Sequence, residues 1–462
     1  MGALARFDVP FLAAVVAVYF SQGFRSSFTG LAVQYVLKDG FRLDPSAMAG
    51  VVATTILPWS LKPLYGIVSD CVPIGGRRRR PWLQIFFGIN LVAHFLLWLG
   101  VGSSGGRNDA EWDRLGPFVG CLVLASLGGA AADVVIDALI AEKSRGGSET
   151  ENGAIQSFAW SSMAAGGLLG SALSGAAMRT AGPRAMFLAT CVSPLAGLLA
   201  VSRVREGIGP RGTSLEEVGE GETPPPSSVA EHLTVLLRAA SSPAIWRPLV
   251  YFFAVGACSP SLDPSLFYFF TGELGLSADF LGGAKAVAWG GAMLGSIIYN
   301  NGLRDSPVRP VLAAVQACQA LAVAANVLLV TRRSATLGIP DGVFVMLSSL
   351  AGEALSVLRM MPFSVIAARL CPPGVEGTMF SLFMSANNAG MAAGSYGGGL
   401  LARTLGIQEG AGSSYDGGGA LEHAPLATGL AVQASAMLLP LALIPLLLPR
   451  GLSSADTGLK AE

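Results

Sequence analysis

Ionised side chains are scarce in this chain. Asp, Glu, Lys and Arg make up only 13% of its 462 residues, whereas a water-soluble domain carries about 25%. The shortage excludes an ordinary soluble enzyme, because a folded surface of this size could not be covered with charge. Charge of one sign is missing too: 30 Lys and Arg balance 30 Asp and Glu, for a formal net charge of +0. Without a basic field there is no nucleic-acid partner to expect. The chain has three His and six scattered Cys. Cys71, Cys121, Cys191, Cys258, Cys318 and Cys371 form no C-x-x-C and no His-containing ligand spacing, so no metal, no cofactor and no disulfide framework is expected. They read as small apolar packing residues. No charged n-region with a small-residue cleavage site precedes the first apolar run, and no cleaved leader is expected.

Apolar length is what the chain has instead: 52% of it is hydrophobic and 59 residues are Gly. A helix crosses the hydrocarbon core with about 20 apolar residues. That ruler marks twelve spans. Six run near Pro10–Leu31, Ala47–Val68, Trp82–Val101, Pro117–Ile140, Ala154–Met178 and Pro183–Val201. Six more run near Ile245–Phe270, Leu281–Asn301, Val308–Val330, Val343–Ala368, Thr378–Thr404 and Leu426–Leu448, while Thr29–Val36 is a possible extension of the first. Between the two sets, Arg203–Pro243 contains GPRGTSLEEVGEGETPPPSS, a composition that buries no core. It reads as a flexible linker ending in a short amphipathic helix over Val229–Ala240. The expected layout is residues 1–202 as an N-terminal six-helix bundle, 203–243 as a cytoplasmic linker and 244–462 as a C-terminal six-helix bundle.

The two sets are related. A shift of 224 residues lays the fifth span on the eleventh. Gly153, Ser157, Ser161, Gly166, Gly170, Gly175 and Gly182 then meet Gly377, Ser381, Ser385, Gly390, Gly394, Gly399 and Gly406. Small residues every fourth position let helix backbones approach closely in lipid, so Gly166, Gly170, Gly390 and Gly394 are expected at helix contacts. Paired six-helix halves are the organisation of major facilitator transporters. The fold class expected is an all-α polytopic membrane protein, with twelve transmembrane helices in two pseudo-symmetric halves. Lys and Arg are denser in the loops on the N-terminal side, led by Arg77–Arg80, which puts both termini in the cytoplasm.

A charge at the bilayer centre costs roughly 2.5–3.5 kcal/mol on insertion scales, so each one is a candidate for function. Arg25 lies in the first span, Lys62 in the second, and Asp133 and Asp137 in the fourth. Asp263 lies in the seventh, Lys285 in the eighth, and Glu353 and Arg359 in the tenth. Spans one, four, seven and ten open successive three-helix units, and such helices line the cavity of this class of carrier. By depth, Glu353 falls near the midplane. Lys62, Asp133 and Arg359 lie toward the cytoplasm, with Arg25, Asp263 and Lys285 toward the outside. Asp133 and Asp137 share one helix face, an arrangement suited to carrying a proton. Asp137 and Glu142 are alternatively ion-pair partners for Arg77–Arg80. The planar fork of Arg359 suits a carboxylate, either a substrate's or that of Glu353 or Asp133. Asp263 follows Ser259-Pro260-Ser261-Leu262, where proline removes backbone donors and makes a hinge. Only His94 lies within a span, without an acidic neighbour on its face, so no intramembrane enzyme is expected.

Span two ends in KPLYGIVSD, followed by Gly75, Gly76 and Arg77, Arg78, Arg79 and Arg80. This stretch resembles the loop between helices two and three of major facilitators. The resemblance implies a gate in which Asp70 faces the start of span eleven and the arginines pair with Asp137 or Glu142. The stretches PWSLKPLYGIVSDCVPIGGRRRRPW, DVVIDALIAE, SPSLDPSLFYFFTGELG and CPPGVEGTMFSLFMSANN are similar to the folate–biopterin transporter family of that superfamily, from about Tyr19 to Asn388. One departure is that Gly76 runs directly into four arginines, where the family usually has Gly-Tyr-Arg-Arg. The resemblance implies a secondary active transporter, a symporter with protons as the coupling ion, moving folate or pterin by alternating access. Folate carboxylates would meet Arg359 or Lys62, and a flat pterin ring would meet Trp59, Phe252, Phe267 or Tyr268. Carriage of another organic anion or an amino acid, or ligand reception without transport, are the alternatives. A monomer suffices for this architecture, and plasma membrane and organelle envelope suit it equally.

Overall fold

The structure is a computed structural model and describes residues 4–101, 115–144, 148–206, 229–370, 376–407 and 424–448. In the first half of the chain the helices are α1 (Val9–Phe24), α2 (Gly30–Tyr35), α3 (Pro45–Ile56), α4 (Lys62–Cys71), α5 (Arg80–Gly100), α6 (Leu115–Ser144), α7 (Glu149–Thr190) and α8 (Val192–Ser202). Then come α9 (Val229–Ser241), α10 (Pro243–Ala257), α11 (Asp263–Gly272), α12 (Ala278–Ile298), α13 (Val308–Val330) and α14 (Arg333–Thr336). The last are α15 (Asp341–Leu370), α16 (Glu376–Thr404), α17 (Ala424–Ala436) and α18 (Ile444–Leu447).

Among the described residues, eight helical runs are long and apolar enough to cross a membrane. The expectation was twelve, and the shortfall has local causes. Gly153–Ser202 counts as one run of 50 residues, yet it turns at Gly182, with φ 73° and ψ 174°. Only glycine enters that region readily, and Pro183 follows it. The first span is a longer, interrupted helix: π turns at Arg25–Thr29 and Val36–Gly40 separate α1, α2 and the loop beyond. The seventh span is broken between Ala257 and Asp263, in the Ser-Pro-Ser stretch where backbone donors are missing.

The described residues fall into two compact units. One comprises the described parts of Met1–Val36, Leu57–Ser241 and Cys371–Ser385. In it α1 packs on α7 and α8, α5 packs on α6 and α8, and α4 packs on α6. Its core holds Phe11, Val15, Leu83, Phe86, Val135, Ile136, Ile155 and Val201. A capping box starts α7: the Ser148 Oγ accepts the Glu151 N–H at 3.3 Å, and the Ser148 N–H donates to Glu151 Oε2 at 2.9 Å. Helix α9 matches the expected amphipathic segment and packs on α4. The expected flexible stretch before it, 207–228, lies outside the described residues.

The other unit comprises the described parts of Leu37–Ile56, Ser242–Leu370 and Ala386–Glu462. Here α12 packs on α15, α13 packs on α15 and α17, and α3 packs on α11. Its core holds Leu262, Phe269, Leu329, Val330, Val345, Ala402 and Leu430. The Leu37–Ile56 segment is bordered by irregular turns, the π turn at Val36–Gly40 and a 3-10 turn at Leu57–Leu61. Such turns within a long helix commonly mark hinges. Lys38 ties this segment to α11, its Nζ lying 2.8 Å from Thr271 Oγ1 and 5.3 Å from the Tyr268 ring centroid. The Tyr268 hydroxyl in turn donates to the Leu43 carbonyl.

In both units large apolar side chains face outward at mid-helix. Leu321 on α13 is 71% exposed and Val92 on α5 55%. Hydrocarbon rather than water is the solvent that makes such a surface stable.

Candidate functional site

The first unit buries a polar network at the crossing of α1, α4 and α6. Lys62 opens α4 directly after the Leu57–Leu61 3-10 turn, and Pro63, which needs no backbone donor, occupies the first helical turn. This break turns the Lys62 side chain inward, where the residue is 8% exposed. Its Nζ donates to Asp133 Oδ2 at 2.6 Å and lies 5.0 Å from the Trp59 ring centroid. The other oxygen of Asp133 accepts the Gln22 Nε2 at 2.7 Å. One turn along α6, Asp137 Oδ1 accepts the Tyr19 hydroxyl at 2.5 Å, and the Tyr19 ring lies 6.5 Å from that of Trp160. Two carboxylates on α6 are thus held by two donors three residues apart on α1, plus one ammonium. Tyr19 and Gln22 escaped the sequence reading because neither carries charge. Their only signal was a polar pair at i,i+3 inside an apolar run.

Arg25 follows Gln22 by three residues at the end of α1. Its Nη1 donates to the Ala125 carbonyl at 2.6 Å. Its guanidinium fills the space beside Gly129, where a Cβ would overlap it. Arg25 makes no ion pair among the described residues. In the second unit Glu353 and Arg359 are half-buried on α15, and they do not pair with each other. Asp263 is exposed at the first position of α11 and Lys285 is exposed on α12; neither joins a buried site. Phe252 packs edge-on against Phe363 at 4.2 Å, and Phe252, Phe267 and Tyr268 are all buried.

The basic loop forms a second cluster. Gly75 and Gly76 have φ 59° and 74°, and paired hydrogen bonds join Ile74 and Arg77 at 2.8 and 3.2 Å. Two successive positive φ values define a tight two-residue turn that favours glycine. Beyond it Arg79, 7% exposed, reaches Asp70 Oδ1 at 2.5 Å, Glu142 Oε1 at 2.7 Å and Ser69 Oγ at 2.8 Å. Burial opposes the charge of its guanidinium, but Glu142 and Asp70 outweigh burial and hold its pKa above the ordinary value. Glu206 adds a contact that the sequence reading missed. Its carboxylate accepts the backbone N–H groups of Arg78, Arg79 and Arg80 at 2.6, 2.8 and 2.8 Å. It thereby caps the N-terminus of α5, where the helix dipole favours a negative group. Of the two acids expected opposite the arginines, Glu142 is the one Arg79 meets, and Asp137 belongs to the Tyr19 network. The side chains at the start of span eleven, expected opposite Asp70, lie outside the described residues.

The glycine pairs occupy equivalent places in the two units. A Cβ at Gly166 would overlap the Phe20 carbonyl, and one at Gly170 the Phe24 carbonyl, so α7 lies directly on the backbone of α1. Likewise Gly390 abuts the Phe253 carbonyl and Gly394 the Gly256 carbonyl, putting α16 on α10.

Solved structures share this architecture. A D-xylose–proton symporter superposes with a TM-score of 0.67 at 14% identity, covering 98% of each chain. A nucleoside transporter superposes at 0.66 with 11% identity, over 95% of this chain and 100% of its own. At such identities the likeness concerns the fold alone. The fold, with its lipid-facing surface and buried ionic network, is the multi-pass helical architecture that these membrane transporters share. Within that class the chain belongs to the BT1 family, whose model matches residues 22–460. A relative in Arabidopsis thaliana, a probable folate-biopterin transporter 4, is 36% identical over 88% of this chain and 91% of its own. The folate-biopterin transporter of Synechocystis sp. is 31% identical over 86% of this chain and 76% of its own. Membership makes the chain a carrier of a small molecule through the bilayer, not an enzyme.

Proposed function

We propose that this protein moves folates and pterins across its membrane by alternating access, with Asp133 as the proton-carrying group. The substrate class is supported by the names of the relatives, folate-biopterin transporters in a plant and a cyanobacterium. The observation that carries the coupling is the buried Lys62–Asp133 pair. A buried ion pair is costly unless both charges stay compensated. Protonation of Asp133 leaves the Lys62 ammonium without its carboxylate, and a substrate carboxylate restores the balance. Loss of the proton reverses the exchange, since Asp133 then competes for Lys62. Proton and anionic substrate are linked through one ammonium group. Asp137, one turn away, is a second station on the same face.

Twelve crossings complete this reading. They include both parts of Gly153–Ser202, divided at Gly182, the interrupted first and seventh spans, and the eleventh, α16. Both termini lie in the cytoplasm, the two six-helix halves are 1–202 and 244–462, and a monomer does the work. The test is uptake of labelled folate, methylfolate and biopterin by proteoliposomes. Saturable uptake is the expected result, abolished by a proton ionophore and uncoupled by Asp133→Asn for the two folates, whose carboxylates compensate Lys62. No saturable uptake of any of the three overturns the substrate class. Uptake indifferent to both ionophore and Asp133→Asn overturns the proton role.

A further inference from the structure

The second unit holds an open cavity of about 570 Å³, lined in part by Arg42, Leu43, Asp44, Ala402, Arg403 and Ile407. It belongs to none of the clusters described above. Two arginines reach it from different elements. Arg42 sits in the turn between the π turn at Val36–Gly40 and α3, and Arg403 in the last turn of α16. Both are exposed, and neither guanidinium makes a hydrogen bond or ion pair among the described residues. The one acid on the lining, Asp44, is engaged: its Oδ1 accepts the Ala47 N–H at 2.9 Å and caps α3.

The root of Arg42 is fixed. Its φ is 51°, a left-handed conformation rare for a side chain of this size. The next residue is tied on both sides, the Leu43 N–H donating to the Leu37 carbonyl at 3.1 Å and its own carbonyl accepting the Tyr268 hydroxyl. Arg403 is held by the closing turn of α16, where Gly406 N–H donates to its carbonyl at 3.2 Å and Ile407 N–H to the Ala402 carbonyl at 2.9 Å. Two arginines therefore line the cavity beside Leu43, Ala402 and Ile407, with their backbones fixed and their guanidinium donors unspent. Guanidinium forks bind carboxylates in a bidentate fashion.

We propose that Arg42 and Arg403 form a capture site for the carboxylate groups of the substrate, at the Pro45 end of the second span. This rests on the functional reading above and sharpens it. A folate carries two carboxylates on its glutamyl tail and gains from the site, whereas a biopterin carries none and does not. Arg42 and Arg403 thus set the preference between the two halves of the substrate class, and leave the transport cycle itself unchanged.

The experiment compares folate and biopterin uptake by proteoliposomes of the wild type, Arg42→Ala, Arg403→Ala, the double variant and the double Lys variant. The expected result is a KM for folate raised about tenfold or more in the double Ala variant, the loss of a charge-assisted bidentate contact. The KM for biopterin stays within about twofold, kcat is unchanged for both, and Lys restores part of the folate affinity. Raising the salt concentration lowers the wild-type advantage for folate, because exposed charges are screened. An equal loss for both substrates, the result if the arginines serve only to close helix ends, overturns the proposal. So does an unchanged folate KM. Wild-type uptake of neither substrate overturns the functional reading and this inference with it, whereas wild-type uptake of both isolates the inference.

Discussion

Lys62 carries its charge into a position where only 8% of the residue is exposed, and Asp133 is its compensation at 2.6 Å. Removing one partner strands the other, so Asp133→Ala is expected to destabilise the protein by about 3–5 kcal/mol. Replacing both, as in Lys62→Met with Asp133→Leu, removes the stranded charge and is expected to recover most of that stability. Transport does not return with it, because neither proton nor carboxylate has a partner left. Thermal unfolding in detergent, read beside uptake, separates these outcomes. A double variant that regains uptake as well as stability would show the pair to be structural. Tyr19 and Gln22 belong to the same argument at lower stakes: Tyr19→Phe leaves a buried Asp137 oxygen without its donor, at about 1–3 kcal/mol.

Helix contacts in these units are made of glycine where lipid supplies no hydrophobic drive. At Gly170 and Gly394 a methyl group would meet backbone carbonyls, which cannot move aside as a side chain can. Gly170→Leu and Gly394→Leu are therefore expected to force α7 off α1 and α16 off α10, with loss of folded protein in size-exclusion profiles. Leu at Gly283, where no atom lies within 4 Å of the added Cβ, is expected to be tolerated. Equal tolerance at all three positions would contradict close backbone packing. The interruptions matter at this scale as much as the contacts do. The 3-10 turn before Lys62 and the π turns on either side of α2 each rephase a helix, and a rephased helix presents a different set of side chains inward. Apolar periodicity locates a helix but passes over such a shift, so these three turns were not legible in the sequence, whereas the break at Ser259–Leu262 was, because its prolines mark it.

Across the first unit, the Arg79 cluster ties the end of α4, the end of α6 and the start of α5, with Glu206 closing the loop from the end of α8. The raised pKa of Arg79 decides how this cluster responds to pH. A cation whose folded pKa lies above its unfolded value contributes stability in full below the unfolded pKa. That contribution is lost only as pH rises through the folded one. For an arginine already basic, that window lies far above neutrality, so the Arg79 contacts persist unchanged between roughly pH 5 and 8. The pH profile of uptake in that range is therefore expected to keep its shape in Arg79→Lys, whose overall rate falls. A profile reshaped by Arg79→Lys would show instead that this cluster titrates with transport.

The sequence by itself determined the solvent, the helices and the family. Hydropathy, span length and the motif around Lys62–Asp70 are properties of consecutive residues, and they needed no partner to be read. It also marked Lys62, Asp133 and Asp137 as charges inside spans, and Arg79 and Glu142 as members of a loop gate. Only the tertiary structure decided who meets whom. Lys62 and Asp133 are 71 residues apart, and Tyr19 and Asp137 are 118 apart. Their meeting depends on how α1, α4 and α6 are rotated about their axes, and each residue of phase turns a side chain by about 100°. The same rotation left Asp263 and Lys285 on the surface and put two unpartnered arginines beside one cavity. Composition identified a protein that lives in lipid with few charges, and packing determined which of those charges are neutralised and which are left free to bind.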